Sequence, residues 1–192
     1  MDHSINDAVF EAFPILESDR LLLRSLETND SDDFFMIRSN KAVMEHMDSK
    51  PLASASDAIK AILENQLLFE EKKGITWALI EKKENTFLGY FSIWRIEKVH
   101  ARAEIGYALK HSYWGKGYMK EAMIAILSFA FNDANIHSVE ANLNPSNTAS
   151  ENLLKSIGFK KEAYFRENFW FNGTFHDSVI YCLIQTDLPQ SL

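Results

Sequence analysis

One stretch constrains the fold of this chain more than any other. From Met119 to Phe131, apolar residues recur at Met119, Ala122, Met123, Ile126, Leu127 and Ala130. Gaps of three and four residues put them on one stripe of an α-helix. A run of strand character precedes this helix, His100 to Leu109, and another follows it, His137 to Leu143. Strand, helix and strand in that order form a crossover unit, which forces the two strands to lie parallel. The fold class is therefore expected to be α/β.

The remaining elements complete a mixed sheet. Arg20 to Leu26 reads as a strand. Thr28 to Ser39 reads as a helix with Thr28, Asn29 and Asp30 as candidate caps, and Lys41 to Met47 as a short helix broken off by Pro51. Ser54 to Lys73 is a longer helix, opened by Ser54 and Asp57 in the spacing of a capping box and expected to end at Gly74. Three strands, Ile75 to Glu81, Phe87 to Ile96 and His100 to Leu109, follow with short connections, so an antiparallel meander is expected. Ser146 to Ser156 reads as a short helix closed by Gly158. Phe159 to Trp170 and Thr174 to Ile184 read as a hairpin across Asn172-Gly173. No repeat or linker-like stretch interrupts the 192 residues. The expectation is a single domain over 1–192, its core at about 15–187. It holds a mixed central sheet with antiparallel meander, βαβ unit and C-terminal hairpin, and helices on both faces.

Charge and composition narrow the function. The net charge of −7 gives no electrostatic footprint for nucleic-acid backbones, whereas a cationic partner such as an amine or basic peptide suits it. Cys182 is the lone cysteine and sits in the apolar stretch Val179 to Ile184, which favours a core thiol over a nucleophile. The chain begins Met-Asp-His-Ser, without the basic and apolar regions of a signal peptide. The longest apolar run, Ala122 to Phe131, is interrupted by Ser128 and is short of the roughly 20 residues of a membrane span. A cytoplasmic protein without membrane or nucleic-acid partner is expected. His100, His111, His137 and His176 lack metal-ligand spacing, so no metal is expected. The oligomeric state stays open, a dimer included.

The chemistry concentrates between the third meander strand and the amphipathic helix, in Lys110-His111-Ser112-Tyr113-Trp114-Gly115-Lys116-Gly117-Tyr118. Gly115 and Gly117 permit positive φ and close approach of a ligand to backbone N–H groups at a helix N-terminus, which is the chemistry of a pyrophosphate cradle. Lys116 adds a charge at the rim. Gly-x-Gly by itself also describes a tight turn into a helix. A dinucleotide fingerprint would need a third glycine at Lys120, and a P-loop needs Ser or Thr where Gly117 stands.

The neighbouring residues separate these readings. Ser112-Tyr113-Trp114-Gly115-Lys116-Gly117 resembles the Gln/Arg-x-x-Gly-x-Gly/Ala signature of the GNAT superfamily of acetyl-CoA-dependent N-acetyltransferases, with Ser112 departing at the first position. Glu104 to Tyr107, Trp114 to Tyr118, Asn147 with Ser150, and Gly158-Phe159 are similar to the Rim-type branch, which acetylates N-termini of ribosomal proteins. An early Arg20 to Arg24 strand and a late Asn172, Gly173 and Asp177 fit the same branch. The resemblance covers about residues 15 to 187 and implies a GNAT-like fold. It also implies acetyl-CoA as co-substrate and direct attack of a primary amine on the thioester.

The resemblance also implies roles. The cofactor-binding residues would be Tyr107, Ala108 and Leu109 of the strand, Trp114, Gly115, Lys116, Gly117, Tyr118 and Met119 of the loop and helix start, and Asn147. Strand alternation puts Glu104, Gly106 and Ala108 on one face, giving a carboxylate with open space beside it. Glu104 is the candidate base; it could equally pair with Arg95 or Arg102. Ser150 is the candidate acid for the departing thiolate; alternatively Asn147 is a helix cap and Ser150 a first-turn residue. Trp77, Trp94 and Trp170 are candidates for lining the acceptor groove, with core packing as the other reading. The acceptor is expected to be a protein N-terminal α-amino group, or else a small amine such as an amino acid, polyamine or antibiotic. A non-catalytic acyl-CoA-binding module on the same fold is the rival from another class, and retention of Glu104, Asn147 and Ser150 argues against it.

Overall fold

A computed structural model describes residues 4–188. Eight strands form one sheet in the order β1-β2-β3-β4-β5-β6-β8-β7. They are β1 (Leu16–Glu17), β2 (Leu21–Ser25), β3 (Ile75–Glu81), β4 (Thr86–Glu97), β5 (Arg102–Leu109), β6 (Ser138–Leu143), β7 (Lys160–Phe171) and β8 (Thr174–Ile184). Among the described residues only β5 and β6 pair in parallel. That pair is the one spanned by the amphipathic helix, α4 (Tyr118–Asn132).

Helices cover both faces. On one face α4 buries Met119, Ala122, Met123, Ile126, Leu127 and Ala130, the six positions of the apolar stripe, together with Phe129 and Phe131. These pack with Leu21, Trp77, Phe91, Ile105 and Val139 of the sheet and with Leu154 and Ile157 of α5 (Thr148–Ile157). Each large side chain so buried contributes about 1.5–3 kcal/mol. The other face carries α1 (Ser31–Arg38), α2 (Lys41–Met44) and α3 (Ala55–Glu70), whose Phe34, Ile37, Val43, Ala58 and Ile62 pack on Ala78, Ile80, Tyr90 and Ala108.

Several boundaries differ from the sequence reading. The segment at Thr28 starts as a 3-10 turn, Thr28–Asp30, because Glu27 and Asp30 form a capping box and Asp30 also holds Arg24 at 2.7 Å. The next helix, α2, is one turn and stops at Met44. The helix α3 ends at Glu70, where Lys72 takes φ 57 and turns the chain before Gly74. Gly74 serves packing instead, since a Cβ there would lie 2.9 Å from the Ile93 carbonyl oxygen. The strand β5 starts at Arg102, after a 3-10 turn Lys98–His100 closed by Ala101 at φ 46.

Candidate active site

The site begins where two parallel strands part. β5 and β6 pair at Arg102↔Ser138, Ala103↔Val139 and Glu104↔Glu140, and at no later position among the described residues. Beyond that, β5 stays with β4 as far as Leu109, while β6 stays with β8 as far as Leu143. A wedge opens between them, with the edge of β5 from Ile105 to Leu109 free to pair with an extended ligand. The chain runs from β5 to the N-terminus of α4 and from β6 to the N-terminus of α5. Both helices therefore turn their partially positive ends to the strand termini that bound the wedge.

The loop ahead of α4 has the conformation an anion cradle requires. Gly115 and Gly117 lie at φ 72 and φ 81, where a Cβ is disfavoured. Gly117 is the N-cap of α4 and no side chain caps the helix, so its first N–H groups face outward. Lys116 folds its ammonium over the Tyr113 ring at 4.9 Å, and the Trp114 indole donates to the Leu109 carbonyl at 2.9 Å. Of the strand carbonyls offered to a ligand, that of Leu109 is therefore already engaged. Met119 buries its side chain in the core and leaves only its backbone to the loop.

Arg20, at the approach to β2, clamps this loop. Its guanidinium donates to Glu121 at 2.6 Å and to the Lys116 carbonyl at 3.0 Å, and lies 4.3 Å from the centre of the Tyr118 ring. Glu121 also accepts from the Arg20 backbone and from Ser18 Oγ, each at 2.7 Å. Burial works to raise the Glu121 carboxyl, but these donors outweigh it and hold it below its ordinary value. Sequence reasoning placed Arg20 only within a strand pattern. Its partners lie about a hundred positions away, and nothing local signals them.

At the start of α5, Asn147 is the N-cap, accepting from the Ser150 N–H at 3.1 Å. Ser150 is buried rather than open, and its Oγ lies 2.5 Å from the Tyr107 phenol oxygen. Tyr107, picked from the sequence for its strand backbone, thus brings a side chain as well. Burial pushes its phenol up to about 12, opposed by the bond to Ser150.

Glu104 projects from the opposite face of β5 at the point where the wedge opens. It is 6% exposed, and Arg95 Nη1 reaches its Oε2 at 2.8 Å. Arg95 manages this from a β-bulge, at φ 48, with its guanidinium 4.1 Å from the centre of the Trp94 ring. Burial raises the Glu104 carboxyl above its ordinary range, and Arg95 pulls part of that back. Trp94 pairs with Glu104 in register and shares its face. Trp77 does not belong with them: it is fully buried on the α4 face and donates to the Pro14 carbonyl at 2.7 Å. It is a core residue on a strand buried on both faces. Trp170 is exposed near the hairpin turn on β7, separated from β5 by two intervening strands, and packs edge-on against Phe175 at 4.8 Å. Cys182 is buried, and burial pushes its thiol up to about 12, a poor setting for a nucleophile.

The profile of the acetyltransferase (GNAT) domain matches residues 20–160. The chain belongs to the GNAT family. Among GNAT relatives, it is 31% identical to the uncharacterized N-acetyltransferase YoaA of Bacillus subtilis strain 168, over 90% of this chain and 98% of the relative. It is 22% identical to a spermidine N(1)-acetyltransferase of Vibrio cholerae, over 82% of this chain and 89% of that one. Over a shorter span, 43% of each chain, it is 34% identical to the [ribosomal protein uS5]-alanine N-acetyltransferase of Escherichia coli K12. In fold it is similar to the ribosomal alpha-N-protein acetyltransferase RimL, solved in complex with coenzyme A, with TM-score 0.81 and 24% identity over 89% of this chain and 98% of that chain.

As a GNAT enzyme the protein is an acetyl-CoA-dependent N-acetyltransferase. Its wedge opens along the edge of β5, with the uncapped N-terminus of α4 at one end and the Tyr107–Ser150 contact at the start of α5. Glu104 lies on one face of β5 and the Tyr107–Ser150 pair on the other. A reacting centre at the edge of β5 would thus have a carboxylate on one side and a hydroxyl pair on the other. No helix among the described residues is long and apolar enough to cross a membrane.

Proposed function

We propose that this enzyme, acting in the cytoplasm, transfers acetyl from acetyl-CoA to a protein N-terminal α-amino group by direct attack in a ternary complex. The observation that carries the proposal is the parting of β5 from β6 just after Glu104. It leaves a free strand edge for the pantetheine arm and a carboxylate at the start of that edge. The Gly115–Met119 segment would cradle the pyrophosphate with backbone N–H groups, and Asn147 would hold the start of α5 beside the thioester. A backbone N–H on the edge of Tyr107 to Leu109 would polarise the acetyl oxygen.

Glu104 accepts the amine proton, directly or through water. An α-amino group has a pKa near 8, against about 10.4 for lysine, so a carboxylate raised by burial suffices for an N-terminal acceptor. Ser150 supplies a proton or hydrogen bond to the departing sulfur. Acetylation of a small amine is the second reading, favoured by the likeness to a spermidine acetyltransferase over most of the chain. The test is a panel of peptides, amino acids and polyamines assayed with acetyl-CoA by thiol release, alongside melting curves. Acetyl-CoA at about 100 times its dissociation constant should stabilise the fold by roughly 2.7 kcal/mol. Absence of any melting shift at millimolar acetyl-CoA would defeat the donor assignment, and turnover of polyamines alone would defeat the acceptor.

A further inference from the structure

Four residues form a patch on the face of β4 and β5 that looks towards α3. Ser92 pairs with Gly106 and Trp94 with Glu104 in the strand register. Such same-face partners stand about 4.5–5.5 Å apart, with diagonal neighbours at about 7–8 Å. Gly106 leaves the centre open: a Cβ added there would meet only Trp94 Nε1, at 3.7 Å.

Hydrogen bonding fixes the polarity of this patch. Ser92 Oγ lies 2.9 Å from Thr76 Oγ1, which lies 2.7 Å from Asn65 Oδ1. Asn65 Nδ2 donates to the Ala61 carbonyl at 2.7 Å, which sets the orientation of the amide. Asn65 Oδ1 can only accept, so the single proton of Thr76 goes to it. The bond between Ser92 and Thr76 must then use the Ser92 proton. Ser92 Oγ is left presenting lone pairs alone. Trp94 Nε1–H can only donate, and it borders the open centre, 3.7 Å from where a Gly106 Cβ would stand. Ionised Glu104 can only accept.

We propose that this patch selects the acceptor by its pattern of two acceptors and one donor around a side-chain-free centre. The inference rests on the acetyltransferase reading, with Glu104 beside the acceptor. The complementary group is an amine whose adjacent carbon carries a carbonyl. Its N–H groups point at Glu104 and Ser92 Oγ, and its carbonyl oxygen accepts from Trp94 Nε1. This is the N-terminal residue of a peptide. A polyamine offers only further N–H donors and leaves the indole unmatched, the situation in which hydrogen-bonding sites discriminate most. Thr76 and Asn65 are positioning residues that hold Ser92 in its accepting role.

The test compares a short alanyl peptide amide, the same peptide with its first carbonyl reduced to methylene, and spermidine. Trp94→Phe keeps a ring under Arg95 but removes the N–H. It should raise KM for the peptide about five- to tenfold, with KM for acetyl-CoA and for the reduced peptide unchanged. Ser92→Ala and Thr76→Val should raise KM for both peptides, the second without touching the substrate. Addition of the peptide to the CoA-bound protein should move the Trp94 indole N–H resonance. Melting temperatures confirm that each variant is folded. Equal KM values for the two peptides in the wild type, or unchanged values in folded Trp94→Phe, would overturn the inference. So would transfer to spermidine and not to the peptide, which leaves the acetyltransferase reading intact. No transfer to any amine would overturn both.

Discussion

The phenol of Tyr107 and the hydroxyl of Ser150 stand 2.5 Å apart, tying the free edge of β5 to the first turn of α5. With the phenol pushed up to about 12, Tyr107 keeps its proton throughout the neutral range and can donate to Ser150. The Ser150 proton is then available for a third atom. Ser150→Ala should lower turnover around a hundredfold, the weak end of general acid catalysis. Because Ser150 is buried, the change also strands the phenol and should cost about 1–3 kcal/mol of stability. Tyr107→Phe should lower turnover less while leaving Ser150 in place. Turnover and melting measured on both variants decide the matter: a loss of stability with unchanged turnover in Ser150→Ala would make the pair purely structural.

Glu104 makes a prediction about pH. Burial raises its carboxyl, and Arg95 lowers it in part. The acidic limb of the kcat/KM profile should therefore sit above the ordinary carboxylate value of about 4.3. Arg95→Met removes the opposing cation and should move the limb to higher pH; Glu104→Gln should abolish it. Stability follows with a definite sign. A folded pKa above the unfolded one means stability present at low pH and lost as pH rises through the folded pKa. Relative to wild type, Glu104→Gln should therefore gain in melting temperature as the pH rises above the ordinary carboxylate range. An acidic limb that ignores Arg95→Met would mean that another group titrates.

The core prediction is simpler. Leu127 is fully buried on the stripe that α4 turns to the sheet. Leu127→Ala should cost 2–5 kcal/mol, in the usual range for a buried leucine truncation. A chemical denaturation series measures it. Acetyl-CoA affinity of the folded fraction should stay unchanged, and a large change would mean that helix position and loop geometry are coupled.

These residues also mark what a sequence can reveal. The stripe of α4 was legible because 3.6-residue periodicity is local, and all six of its positions are buried. The alternation of β5 was legible for the same reason: Glu104, Gly106 and Ala108 face Trp94, Ser92 and Tyr90 in register. The parting of β5 from β6 was not, since strand propensity carries no information about where pairing stops. Trp77 stayed open between groove and core because β3 is buried on both faces, so no polar alternation tells its two sides apart; the structure buries it in the core. The bond from Tyr107 to Ser150 and that from Arg20 to Lys116 join residues 43 and 96 positions apart, beyond the reach of any local pattern.

The Arg20 clamp gives the last prediction. Its guanidinium joins the Lys116 carbonyl, Glu121 and the Tyr118 ring, so it holds the loop between Gly115 and Gly117 from outside the cradle. The ion pair itself is partly exposed and should contribute less than about 1 kcal/mol to folding. Its effect belongs to loop order. Arg20→Ala should weaken CoA binding about tenfold by calorimetry, the scale of one charged hydrogen bond. Amide exchange across Trp114 to Tyr118 should quicken, while KM for the amine stays constant. Arg20→Lys should not restore binding, because a single ammonium cannot span two acceptors as a planar fork does. Gly117→Val attacks the same loop from within. It forces a β-branched residue to φ 81 and sets its Cβ 3.4 Å from Arg20 Nη2. The two substitutions touch one structure, so their losses in CoA affinity should fall short of adding. Full additivity, or unchanged affinity in Arg20→Ala, would show that the loop keeps its shape without the clamp.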